Sequence, residues 1–292
     1  MRRLNFPAPP IVAIDALNAS TFYAQHWLQC IGVSTIPLND ATESAVQILA
    51  GQQDQIQTDG KAIVLWDFQV GRDGNGLHAA AAAGVSWVIG HADGPPLSLP
   101  VNLPEKWCGL MGANMALAVL LEKDLQGEAA PRRVDIAAAD VLRAYADQNA
   151  GNQLEIDAGW RRNGSVAVEH GGIFPQGYFP CADGHVGLVG RSKRDWVAIR
   201  EVIGMPDWAK EDRFENPFEL AAAPDEVETL LAAALMGFDR DTLLAQAIKH
   251  GAPMAPVYSS DELKGRDVVR KNFFDEEGAP QLPFDIVTRK AS

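Results

Sequence analysis

Glu105 stands beside Pro104 at the start of a long run of apolar and small residues, Trp107 to Leu125. A helix is expected there, with Pro104 in the first turn, where no N–H is needed, and a carboxylate favoured by the positive end of the helix dipole. As an exposed first-turn charge Glu105 would be worth about 0.3–1 kcal/mol. Residue chemistry alone asks nothing more of it, and a catalytic role needs support from the rest of the chain. A second candidate is Gly71-Arg72-Asp73-Gly74-Asn75-Gly76, between KAIVLWDF and the alanine-rich Leu77 to Ala83. Backbone N–H groups between a strand and a helix can cradle phosphate oxygens. The GxxGxG spacing is neither a dinucleotide fingerprint nor a P-loop, so a plain glycine turn accounts for it equally. His170-Gly171-Gly172 reads as a loop able to move, or as simple flexibility.

These residues require elements to hold them. Ile11 to Asp15 and Lys61 to Phe68 are apolar runs expected to be buried strands, with a helix over Asn18 to Cys30 (Phe22, Trp27 and Leu28 inward, Ser20 as a possible cap) and a strand at Ile31 to Leu38. Strand, helix and strand in so short a span is the unit of a parallel sheet. Asn39 to Gly60 suggests a polar helix, Val85 to Ile89 another strand, and Arg132 to Ile136 a strand before a helix from Ala137 to Ala146. The strand-ends at Asp15, Asp67 and Gly90 would share the sheet edge where ligands bind in such folds. Within the central helix, Gly109, Gly112, Ala113 and Ala116 leave one side nearly flat, so that another backbone or a ligand can approach.

Asp147 to Gln176 loses periodicity and is rich in glycine, which marks a domain boundary or an arm to a second subunit. Beyond it, Tyr178 to Val189 reads as a hairpin about Asp183-Gly184. Helices are expected over Arg194 to Ile203, Pro224 to Met236 and Asp241 to His250, with a strand at Ala255 to Tyr258 and a helix capped by Ser260. The expected division is an α/β domain over 1–146, a crossing linker over 147–176, a small α+β domain over 177–271 and a tail over 272–292.

The chain has 292 residues, 47% hydrophobic and 22% charged, which suits one large or two medium domains. A net charge of −13 argues against a nucleic-acid partner but not against an anionic small ligand, which needs only a local positive site. Cys30, Cys108 and Cys181 show no CxxC and no metal-ligand spacing, so unpaired thiols in a reducing cytoplasm and no metal site are expected. The opening MRRLNFPAPP turns to proline before any long apolar run and does not read as a signal peptide, and no run reaches membrane length.

Two segments then carry a resemblance. YFPCADGHVGLVGRSKRDWVAIREVIGMPDWAKEDRF and GAPMAPVYSSDEL are similar to the hairpin–helix and "G.P.APV" segments of the family III coenzyme A transferases, which include formyl-CoA and carnitine CoA transferases and 2-methylacyl-CoA racemases. IVAIDALNASTFYAQHWLQCIGVSTIPL, IVLWDFQVG and GLMGANMALAVLLEKDLQG…VDIAAADVLRA match more loosely. The resemblance spans nearly the whole chain. It implies a reduced Rossmann-like parallel-sheet domain plus a small α+β domain, in an interlocked dimer. It also implies CoA transfer between an acyl-CoA thioester and a carboxylic acid, with no permanently bound cofactor and the CoA thioester as substrate.

The family carries an aspartate four residues before the first glycine of the central helix, and that position is Glu105 here. The resemblance makes Glu105 the expected nucleophile, although its extra methylene shifts the oxygens by roughly an ångström, a displacement able to cost ~100-fold. It also implies coenzyme contacts at Asp67, Phe68, Gln69 and Gly71, with Gly171 and Gly172 closing over the intermediate. Gln69 replaces the family's arginine, which would meet a CoA phosphate. A basic stretch between the second and third strands and most of the segment between GHADGPP and Glu105 are deleted. Lys193 falls where the racemases carry a glutamate, which disfavours racemisation. Two alternatives follow: a catalytically weak structural subunit in a hetero-oligomer with a full-length relative, or an acyl-CoA lyase or hydratase on the same scaffold.

Overall fold

Short unalternating apolar runs need cover on both faces, and crossover helices supply it in parallel sheets. The computed structural model describes residues 11–41, 46–51, 61–91, 93–126, 132–150, 174–220 and 222–264, with single positions at 162, 266, 269, 273, 274 and 276. One compact unit is built from the described residues of Met1–Gly90 and Pro95–Trp160, and another from those of Arg161–Lys271. The first holds five strands: Ile11–Ile14 (β1), Ser34–Ile36 (β2), Val46–Ala50 (β3), Lys61–Trp66 (β4) and Arg132–Ala137 (β5). Their order is β2-β1-β3-β4-β5, parallel throughout. From Ala62 to Trp66 no residue of β4 is more than 4% exposed, as a strand covered on both faces requires.

Ala19–Ile31 (α1) crosses from β1 to β2. Its cap is Asn18 and not Ser20: the Asn18 side chain accepts from the Thr21 N–H at 2.9 Å, and the Thr21 hydroxyl accepts from the Asn18 N–H. Ser20 is buried inside the first turn. Leu28 enters the core and Trp27 packs on its margin, whereas Phe22 faces out at 55% exposure.

Two further expectations are corrected in this unit. The segment read as a polar helix contains β3, because Val46 and Ile48 alternate inward and both β1 and β4 offer it a ladder. Pairing on two sides outweighs a weak local helical preference. Its flanks, 42–45 and 52–60, lie outside the described residues. Val85 to Ile89 is no strand either. After Gly76–Ala82 (α2), Gly84 takes φ 79°, turns the chain back, and sets Val85–Val88 (α3) as one helical turn against α2.

Leu103–Gln126 (α4) follows and crosses the sheet. Its glycines receive other parts of the protein and not a ligand. A Cβ on Gly109 would lie 2.6 Å from the Ser20 carbonyl oxygen of α1, and one on Gly112 would lie 2.7 Å from the Leu65 side chain of β4. After β5, Ala138–Ala150 (α5) runs four residues into the stretch read as linker, which is otherwise mostly outside the described residues.

The second unit holds the expected hairpin, Gln176–Cys181 (β6) and Gly184–Val189 (β7), with Met254–Pro256 (β8) antiparallel to β7. Lys193–Val202 (α6), Pro217–Leu220 (α7), Pro224–Leu235 (α8) and Arg240–His250 (α9) complete it. Trp196 is fully buried at its centre, and its indole N–H donates to the Phe214 carbonyl. Arg240 clamps the hairpin turn: its backbone N–H donates to Asp183 at 2.8 Å, and its guanidinium to Glu262 at 2.7 Å and to the Val257 carbonyl at 2.9 Å. That guanidinium holds the Glu262 carboxyl down at about 2. The expected helix after Ser260 is instead a turn, with Ser259 accepting from the Glu262 N–H, since Glu262 is committed to Arg240. Among the described residues no helix is long and apolar enough to cross a membrane.

Candidate active site

The carboxyl ends of β4 and β5 are where α4 begins. Cys108, one turn into α4, is fully buried, and its thiol lies 3.7 Å from the Trp66 carbonyl and 3.6 Å from the Ile136 carbonyl, both at the ends of those strands. These contacts seat the first turn of α4 on the sheet edge. Glu105, three residues earlier, is therefore not the exposed first-turn charge that its sequence neighbours suggest, for it is only 3% exposed.

The glycine loop supplies what the buried carboxylate needs. The N–H of Gly76, the first residue of α2, donates to Glu105 Oε1 at 2.5 Å. Asn75, just before it, caps α2 by accepting from the N–H groups of Leu77 and His78. The second glutamate oxygen, Oε2, is buried without a hydrogen-bond partner among the described residues. A Cβ on Gly76 would fall 2.2 Å from that oxygen, so only glycine leaves room for the carboxylate where it is. Glu105 thus sits at the start of α4 with a backbone donor from α2 on one oxygen and no hydrogen-bond partner among the described residues on the other.

Glu105 also lines a cavity of about 280 Å³, together with Asn75, Gly76, Leu77, Pro104 and the segment Ser98 to Asn102. A carboxylate held through one oxygen in the lining of a cavity has the chemistry of a nucleophile towards an electrophilic carbon.

The other residues expected at the site have separate duties. Asp67 accepts from the N–H groups of Ala19 at 3.1 Å and Ser20 at 2.9 Å, so its carboxylate holds the start of α1. Phe68 lies under the glycine loop, its ring 5.6 Å from that of His78, and its carbonyl accepts from Ala139. Gln69 and Arg72 pair across a tight turn in which Gly71 takes φ 74°. None of Asp67, Phe68, Gln69 and Gly71 lines the Glu105 cavity. Gly171 and Gly172 lie outside the described residues. The glycine loop was legible as a cradle, but the anion it receives is the protein's own glutamate. Sequence reading included Gly76 in the glycine loop, as a cradle for phosphate and not for Glu105, and did not single out the Ser98 to Asn102 wall.

Cys108 adds a check on this packing. Burial pushes its thiol up from the ordinary 9.0 to about 12, with the Asp67 and Glu105 carboxylates adding to the rise. Thiolate is the reactive form. A thiol reagent at pH 8 should therefore label the half-exposed Cys30 in the native protein and leave the buried Cys108 and Cys181 unmodified. All three should react after denaturation, and fast native labelling at Cys108 would contradict the seating of α4. Because the folded protein holds the Cys108 proton more tightly than the unfolded chain, its contribution to stability is intact below about pH 9 and is lost as pH rises towards 12.

Residues 69–288 match the model described as CoA-transferase family III. The succinyl-CoA:mesaconate CoA-transferase of Haloarcula marismortui is 25% identical over 187 residues, which are 64% of this chain and 45% of that protein. The succinyl-CoA–D-citramalate CoA-transferase of Chloroflexus aurantiacus is 21% identical over 191 residues, 65% of this chain and 46% of its own length. The chain thus spans less than half the length of these curated relatives. The crystal structure of a CaiB/BaiF family protein from Brucella suis superposes with a TM-score of 0.68 at 17% identity, covering 96% of this chain and 75% of the other, a likeness of fold.

Proposed function

This chain belongs to CoA-transferase family III, and from that premise we propose that it moves coenzyme A between an acyl-CoA thioester and a carboxylic acid through Glu105. The observation that carries the proposal is the buried glutamate itself, held by Gly76 through Oε1, without a hydrogen-bond partner at Oε2 among the described residues, and in the lining of the cavity.

In the first step a Glu105 carboxylate oxygen attacks the thioester carbonyl carbon. A C–O bond forms, the C–S bond breaks, and the products are an acyl-glutamyl anhydride and CoA thiolate. The thiolate then attacks the glutamyl carbonyl carbon, giving a glutamyl-CoA thioester and releasing the first acid as its carboxylate. An incoming carboxylate repeats the two exchanges in reverse order and leaves as the new acyl-CoA, with Glu105 restored. Every step trades one acyl bond for another, so no proton and no water enters the balance.

Burial serves this sequence because water would hydrolyse both the anhydride and the thioester. A backbone donor fixed on Oε1 keeps the glutamyl group oriented through both exchanges, at no cost in reorganisation. The relatives' names speak of succinyl-CoA, mesaconate and citramalate. For this chain, transfer between acids is proposed with the acyl class left to the cavity. As an expectation, one chain of a homodimer or hetero-oligomer carries this site, with the coenzyme passing Gln69 and Gly71 at the sheet edge. The test is direct. Incubation with an acyl-CoA and digestion should yield a peptide containing Glu105 that is heavier by the CoA moiety less water. An unmodified peptide across a panel of thioesters would remove the proposal.

A further inference from the structure

Resting on the reading of Glu105 as the acyl-accepting group, we infer that the acyl group handled here is a short monocarboxylic one, uncharged at its far end, and not a dicarboxylyl group. The lining of the cavity carries the inference. Its walls are Leu77, Leu99, Pro100, Val101 and Pro104, and its polar positions are the neutral Asn75, Ser98 and Asn102. Its one charged group is Glu105, which is negative.

Two of the neutral polar residues are already engaged. The Asn75 side-chain oxygen caps α2, and the Asn102 amide donates to the Tyr23 hydroxyl at 3.4 Å. The basic residues near this end of the unit have other work. Lys106 places its ammonium over the Tyr23 ring, 5.4 Å from the centroid. His78 is turned onto Asn75, with Nδ1 2.9 Å from the side-chain oxygen, and Arg72 lies on the exposed turn beside Gln69. None of the three lines the cavity.

A succinyl or glutaryl thioester approaching Glu105 would bring a second carboxylate into this space. It would meet no cation among the described lining residues and would face the negative glutamate. An uncompensated charge in such a place costs enough to lower turnover by two or three orders of magnitude. A short aliphatic acyl group carries no such burden, and the apolar mouth suits it. Leu77 is 59% exposed there and Val101 83%, which is apolar surface that an acyl chain would cover. A volume of about 280 Å³ suits a small acyl group and leaves the nucleotide part of coenzyme A outside.

The experiment compares butyryl-CoA and isobutyryl-CoA with succinyl-CoA and glutaryl-CoA on the purified full chain. It reads both kcat/KM, with acetate as acceptor, and the mass of the Glu105 peptide. The monocarboxylic thioesters should be favoured by at least about 100-fold. In a Val101→Lys variant, which places a cation at an exposed rim position, that ratio should narrow by at least about 10-fold through improved use of succinyl-CoA. Equal use of both classes, or preference for succinyl-CoA with adduct on Glu105, would overturn the inference while leaving the catalytic reading intact. Absence of adduct with all four thioesters would overturn the catalytic reading and this inference with it.

Discussion

Glu105→Gln should reduce CoA transfer by at least about 1,000-fold while leaving the protein folded. The amide keeps the length of the side chain and can accept the Gly76 N–H as Oε1 does, but it cannot donate an electron pair to a thioester carbon at a useful rate. Because Glu105 is buried with one oxygen unpartnered, removing its charge costs no solvated interaction, and the melting temperature should not fall. The readout that separates catalysis from structure is the covalent adduct, which should vanish together with turnover. Unchanged transfer in Glu105→Gln, measured in the assembled protein, would remove this residue from the mechanism. It would leave the chain a structural subunit.

The second large effect is expected at a residue that performs no chemistry. Gly76→Ala adds one methyl group where a Cβ would sit 2.2 Å from Glu105 Oε2 and 2.7 Å from Oε1. The atoms it meets are the far end of a flexible side chain, so the glutamate can swing aside and the fold should survive. The carboxylate cannot then stay where it is. A shift of about 1 Å at a reacting atom costs about 100-fold, and that loss is expected in kcat with little change in the melting temperature. The partner variant makes the test specific. Glu105→Asp withdraws the carboxylate by one methylene, so alanine at position 76 should be far less harmful with aspartate at 105 than with glutamate. A double-mutant cycle should show coupling of at least about 1 kcal/mol between the two positions. Additive losses would mean that the Gly76 methyl acts on something other than the carboxylate.

This pairing also gives a physical account of glutamate at position 105, where the family resemblance leads one to expect aspartate. The longer side chain needs both a donor and a vacancy, and a glycine N–H at the start of α2 supplies the two together. The shortened segment before α4 bears on the same point. Short as it is, its residues Ser98 to Asn102 line the cavity beside Glu105.

Much of this protein was legible in its residues because the signals were local. β4 is a covered strand because five consecutive apolar residues allow no solvent face. The hairpin of β6 and β7 follows from an Asp-Gly turn between two extended runs, and α8 opens on the proline that its first turn tolerates. The carboxylate at the head of the glycine-bearing helix was visible for the same reason, as a first-turn acid beside a proline. Sequence failed where neighbours distant in the chain made the choice. β3 was decided by ladders offered on both sides, and α3 by a left-handed glycine that turned the chain out of the sheet. Asp67, expected near the coenzyme, was claimed by the backbone of α1. The burial of Glu105 was likewise decided by the seat of Cys108 on two strand ends and by Gly76, 29 residues away in the chain. The sequence by itself determined that a carboxylate heads α4, because the chemistry of that group is a property of the residue. Only the tertiary structure decided that one of its oxygens is held and the other left free, because that depends on what long-range packing brings against it.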